Sequence, residues 1–222
     1  MSDALPPIPP ADEPRRARGR PRKTADERDD GNRRQDLLRA AARLFRQQGF
    51  AATSTRDIAT AAGMRSGSPF YHFENKEALL AAVMLEGMQR ASSQQADAMQ
   101  AAARHGQALS ARDCLRVLVR NHLEVLLGAE SDFIPVMLYE WRSLSEPQRQ
   151  AVNELRREYE AVWVPVLQAL HDRGELSGDT SLARLMLFGA LNWAVQWFEP
   201  GRRSSLDDLT EAALQLFLKE AV

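Results

Sequence analysis

The sequence has a single cysteine, Cys114, so no internal disulfide can form and nothing argues for an oxidising compartment. No apolar run reaches the ~18 residues that a membrane span requires, which argues against a membrane partner. The polar, proline-rich N-terminus has no signal-peptide core, so a cytoplasmic location is expected. His105, His122 and His171 show no metal-ligand spacing, and Cys114 reads as a core thiol. Neither a nucleophile–base constellation nor a glycine-rich phosphate loop is present, so no enzymatic activity, no metal and no cofactor are expected. Period-two alternation and internal repeats are also missing, which leaves an all-α chain. The net charge is only −1, so any face for nucleic acid must be local.

What is present is helical. Hydrophobic residues make up 44% of the chain, enough for a proper core, and six of the eleven prolines fall within the first 21 positions. Residues 1–31 therefore read as a disordered arm. In Arg15-Arg16-Ala17-Arg18-Gly19-Arg20-Pro21-Arg22-Lys23 six of nine positions are basic. This stretch reads as a solvated tail or linker, or as an arm that tracks DNA. For the second reading, Arg18-Gly19-Arg20-Pro21 resembles the AT-hook core, in which Arg18 and Arg20 would enter a narrow minor groove.

From Asn32, Leu37, Leu38, Ala41, Leu44 and Phe45 recur at helical spacing until Gly49. A short helix is predicted near 54–62, capped by Thr53 or Ser54 and broken by Gly63. A third follows over 65–71, and a long fourth begins at Asn75 and runs past Met99. Further runs lie near 111–127, 132–144, 146–173, 181–198 and 206–220, making about nine helices. Ser110 or Asp113 can start the first of these, and Ser145-Glu146-Pro147 starts the third. Pro165 predicts a kink inside that third run.

The segment from Phe50 to Leu79 has a Thr53-Ser54 helix start, an Ile58-Ala59 pair and Ala62-Gly63-Met64 at a turn. Gly67-Ser68, an aromatic, His72-Phe73 and Lys76-Glu77-Ala78-Leu79 follow. Over about residues 33–80 it resembles the DNA-binding domain of the TetR family. The resemblance implies a three-helix helix-turn-helix domain over 32–78 and a helical ligand-binding and dimerisation domain over 79–222. It also implies a sequence-specific repressor that leaves a palindromic operator when a small hydrophobic effector binds. The short third helix would enter the major groove. Arg65, Ser68 and Ser66 would face base edges, and Gly67 would let the backbone come close. Thr53, Arg56, Tyr71, His72 and Lys76 would hold phosphates. Phe70 stands where the family often has tyrosine.

All four tryptophans fall in the second half. The run from Leu182 to Phe198 is apolar nearly all round, so it must be buried on more than one side. With the 206–220 helix it would form a four-helix seam in a homodimer. Tyr139, Trp141, Tyr159, Trp163, Phe188 and Trp193 would line an apolar pocket, with Arg156, Arg157 and Asn192 as its polar groups. Glu140-Trp141-Arg142, Arg157-Glu158-Tyr159-Glu160 and Asn192-Trp193 resemble an acyl-CoA-responsive TetR subgroup, which implies an acyl-CoA thioester as effector. The alternative is a regulator of efflux or detoxification that senses a lipophilic, drug-like compound.

Overall fold

A computed structural model describes residues 25–64, 72–104, 108–128, 131–199, 201–202 and 204–219. Among them are nine α-helices and no strand. They are α1 (Ala25–Ala52), α2 (Thr55–Ala61), α3 (Lys76–Ala103), α4 (Ala111–Leu127), α5 (Phe133–Glu140), α6 (Glu146–Ala161), α7 (Trp163–Asp172), α8 (Thr180–Trp193) and α9 (Leu206–Phe217). The expected third helix over 65–71 lies outside the described residues, as do Arg18 and Arg20.

The helix starts follow local chemistry. Ser54 caps α2 in a reciprocal box with Asp57, and Asn75 caps α3 by accepting from the Ala78 N–H. Ser110 accepts from the Asp113 N–H at the start of α4, and Ser145 and Gln148 form a box at α6. Each cap satisfies a backbone donor that the first turn leaves over.

Four of the expected runs have different boundaries. α1 begins at Ala25 rather than Asn32, because no proline lies between Pro21 and Asn32 to stop the helix extending backwards. The 132–144 run ends at Glu140 and continues as a 3-10 turn over Trp141–Ser143, and the 181–198 run likewise ends at Trp193. The 146–173 run is two helices that break at Val162, not one helix kinked at Pro165. Pro165 has no N–H for the Ala161 carbonyl, so the break falls a turn ahead of the proline. Gln95 of α3 secures this junction. Its Nε2 donates to the Tyr159 carbonyl at 3.1 Å, and its Oε1 accepts from Trp163 Nε1 at 2.8 Å.

A small head forms where Leu37, Leu38, Ala41 and Phe45 of α1 bury against Ile58, Phe73, Leu79 and Leu80. α3 is 28 residues long and leaves this head to pack against α4, α5 and α6 in the body. Head and body therefore share one continuous helix. α5 lies across both α1 and α3. Gly87 makes that approach possible, since a Cβ there would sit 2.8 Å from Phe133 Cβ.

Candidate DNA-reading head and effector pocket

Of the residues expected at DNA, Arg65, Ser66, Gly67, Ser68 and Tyr71 lie outside the described residues. Arg56 is exposed on α2, and His72 is half-buried. Thr53 and Lys76 are placed differently from expectation. Thr53 is 1% exposed; its hydroxyl donates to the Gly49 carbonyl at 2.7 Å and accepts from Gln48 Nε2. It is therefore turned inward and bound to backbone, not presented to a phosphate. The Lys76 ammonium donates to the Phe50 and Thr53 carbonyls at 2.8 and 2.9 Å and sits over the Phe50 ring. It satisfies carbonyls left over where α1 ends, and so fixes the α1–α2 turn onto the start of α3.

The head is also held from α5. Glu140 Oε1, at the helix's C-terminal end, accepts from the Phe50 N–H at 2.9 Å. Near its N-terminal end, Asp132 pairs with Arg46 of α1 at 3.0 Å. Gly49 makes this geometry possible, because its φ of +82° turns the chain so that the Phe50 N–H faces Glu140.

Between these two anchors, α5 turns Ile134 and Met137 into a cavity in the body. Met88 and Ala91 of α3, His122 and Val125 of α4, and Phe188 and Asn192 of α8 also line it. Tyr159, Arg156 and Glu160 come from α6. The cavity holds about 370 Å³, its mouth included. Half-exposed Arg156 pairs with Glu160 at 3.7 Å, and Glu160 also pairs with Arg184.

Four of the expected pocket residues are thus brought together: Arg156, Tyr159, Phe188 and Asn192. Trp163 is fully buried behind the wall, its ring centroid 4.6 Å from that of Phe188. The others are elsewhere. Tyr139 is half exposed and bonded to Gln196, Arg157 faces solvent, and Trp193 is 64% exposed. Trp141 sits in the 3-10 turn beyond α5, away from the cavity lining. Identity alone did not reveal which face of each helix turns inward.

His122 was the residue missed. It continues the buried stripe Leu115, Leu118, Val119, Leu126 of α4, and that periodicity was its signal. Its Nδ1 is 3.0 Å from the Tyr159 hydroxyl and its Nε2 is 3.1 Å from Asn192 Oδ1. Burial lowers the imidazole pKa to about 4, opposed by the hydrogen bond to Asn192, so the ring is neutral. Burial also pushes the Tyr159 phenol up. Cys114 is raised by burial and by the neighbouring Asp113 charge, as an unreactive thiol would be.

The His122 shift makes stability depend on pH. The unfolded imidazole takes a proton near 6.5 and the folded one only near 4. The unfolded state binds more protons in this window, so stability is lost as the pH drops through it and levels off below. The expected loss from His122 is about 2 kcal/mol between about pH 7 and about pH 5. Urea unfolding of the wild type and His122→Gln at both values checks this. The variant should lack that increment, and equal pH dependence in the two proteins would exclude a buried neutral ring.

The outer face of α8 carries Leu182, Leu185, Met186, Gly189 and Trp193, all exposed. Leu216 of α9 is exposed as well. No helix among the described residues is long and apolar enough to cross a membrane.

Comparison with known proteins agrees with this layout. The family model for bacterial regulatory proteins of the tetR family matches residues 37–83, and that for the tetracyclin repressor-like C-terminal domain matches residues 108–221. The HTH-type transcriptional repressor KstR2 of Rhodococcus jostii (strain RHA1) is 29% identical over 189 residues, covering 84% of this chain and 89% of the relative. The solved structure of superantigen PfiT superposes with a TM-score of 0.70 at 36% identity, over 85% of this chain and 97% of that one. AibR, solved with isovaleryl coenzyme A and operator DNA, superposes with a TM-score of 0.73 at 22% identity, over 83% and 97% of the two chains, a likeness of fold. With a reading head at one end, an apolar chamber in the body and a family model matching each half, the chain belongs to the TetR family of transcriptional regulators.

Proposed function

We propose that the protein is a homodimeric, cytoplasmic repressor, without enzymatic activity, that leaves a palindromic operator when a short-chain acyl-CoA thioester fills the cavity. The observation that carries this reading is the double duty of α5. Ile134 and Met137 line the cavity, while Asp132 and Glu140, at the two ends of the helix, hold the head through Arg46 and the Phe50 N–H. A ligand that pushes α5 outward must move or break those anchors, and α3 carries the displacement because it spans head and body.

At DNA, Arg65 and Ser68, with Ser66, read bases while Gly67 allows close approach. Arg56, Tyr71 and His72 hold phosphates, and Arg18 and Arg20 follow the minor groove. Thr53 and Lys76 position the turn. The dimer is supported by the apolar outer face of α8 with Leu216 of α9. Gly189 supports it too. A glycine inside a helix costs about 1 kcal/mol relative to alanine, and beyond its own stretch of helix nothing among the described residues lies within 4 Å of where its Cβ would be. A partner helix crossing there makes use of the missing side chain.

The acyl-CoA assignment is supported by a mostly apolar chamber with Arg156 at its mouth, and by the ligand in the AibR structure. The chamber is small and mostly apolar, which favours a short acyl group over a bulky drug-like effector.

The test is fluorescence anisotropy on a duplex that the protein itself selects from a random pool. Isovaleryl-CoA is expected to weaken binding by about tenfold or more, within the range of allosteric couplings, and free CoA much less. Equal operator affinity at saturating isovaleryl-CoA would refute the proposed effector.

A further inference from the structure

We propose that Asn192 is the specificity residue of the cavity, donating a side-chain N–H to a carbonyl oxygen on the ligand. This rests on the cavity being the effector pocket, but not on the effector being a CoA ester.

The direction of a buried hydrogen-bond line fixes the polarity. Asn121 Nδ2 is buried beside the Tyr159 phenol, toward whose oxygen it can only donate. It is itself a donor, so it offers the phenolic hydrogen nothing to bond to. The Tyr159 O–H therefore donates to His122 Nδ1, 3.0 Å away. An imidazole that accepts at Nδ1 and is neutral carries its hydrogen on Nε2. That N–H donates to Asn192 Oδ1 at 3.1 Å. With its oxygen held by His122, Asn192 has its Nδ2 left over, which has no partner among the described residues while the side chain lines the cavity.

The remaining walls are mainly apolar: Met88, Ala91, Val125, Ile134, Met137 and Phe188. A ligand matching this chamber has an alkyl part and an acceptor oxygen beside it, as in a ketone, ester or thioester. An alcohol's oxygen can accept the same N–H but leaves its own hydrogen to find an acceptor among mainly apolar walls, and a plain hydrocarbon would strip water from Asn192 without replacing it.

The test compares shape-matched probes by isothermal titration: methyl isoamyl ketone and the alkene in which a methylene replaces its oxygen. The wild type is expected to prefer the ketone by roughly tenfold, the worth of one buried hydrogen bond. Asn192→Leu should bring the two within about twofold. Tyr159→Phe, which releases the ring tautomer, should reduce the preference in the same direction. The readout is a ratio within one protein, so a uniform loss of folded material cancels. Equal binding of the two probes by the wild type, no saturable ketone binding, or an unchanged ratio in Asn192→Leu would overturn the assignment. Isovaleryl-CoA against its carbonyl-free thioether forms a second arm. Ketone preference without isovaleryl-CoA binding would uphold Asn192 and reject the acyl-CoA effector.

Discussion

Replacing Leu185 and Met186 together with glutamate is expected to give a folded monomer whose operator affinity is at least about a hundredfold weaker. The two side chains are 58% and 68% exposed on α8, so their own chain does not depend on them. Unpartnered apolar groups of this size, repeated along one helix face, need a second surface. Two carboxylates placed there would have to be buried without partners when the seam forms, which outweighs the apolar gain. The operator effect follows from losing the linkage between heads. A tethered second head binds at a high effective concentration, whereas a monomer binds each half-site alone. Sedimentation and anisotropy on the same samples check both parts. A double variant that remains dimeric would remove α8 from the interface, and a monomer with wild-type operator affinity would mean that the heads do not act in pairs.

Trp163→Ala is expected to cost about 3–5 kcal/mol of stability, read from urea or thermal unfolding. The indole is fully buried, packs on Phe188 and lies edge-on to His122 with ring centroids 5.9 Å apart. Truncation leaves a void beside the proposed effector pocket and strips Gln95 Oε1 of its donor. Trp163→Phe separates the two contributions. It refills most of the space but still leaves the Gln95 oxygen unpaired, so it should retain a loss of about 1–3 kcal/mol. An alanine variant within about 1 kcal/mol of wild type would mean that this junction relaxes around the missing ring.

The starts of α2, α3 and α6 were legible in the sequence because their signals are local. A hydroxyl or amide before a helix, an acidic or amide residue three positions on, and a glycine at a turn fix caps and ends whatever packs above them. Ser54 with Asp57, Asn75, and Ser145 with Gln148 all appear as caps for that reason. What was not legible depends on which way a side chain turns. Thr53 and Lys76 have the chemistry of phosphate ligands, yet both satisfy backbone carbonyls near the end of α1. α8 is apolar nearly all round, so periodicity could not separate its pocket side, Phe188 and Asn192, from its outer side, Leu185 and Trp193. The spacing of His122 does not suit a metal ligand, but its place in the buried stripe of α4 marks it as an interior hydrogen-bonding group.

The central claim is that effector and operator compete for the position of one helix, α5. Linkage makes this measurable from the ligand side, because the factor by which an effector weakens operator binding must equal the factor by which operator weakens effector binding. Isothermal titration of isovaleryl-CoA into the free protein and into the protein saturated with its selected duplex gives that number directly. The expected result is a loss of affinity on DNA matching the operator loss from anisotropy, about tenfold or more. Identical isovaleryl-CoA affinities with and without DNA would contradict the coupling.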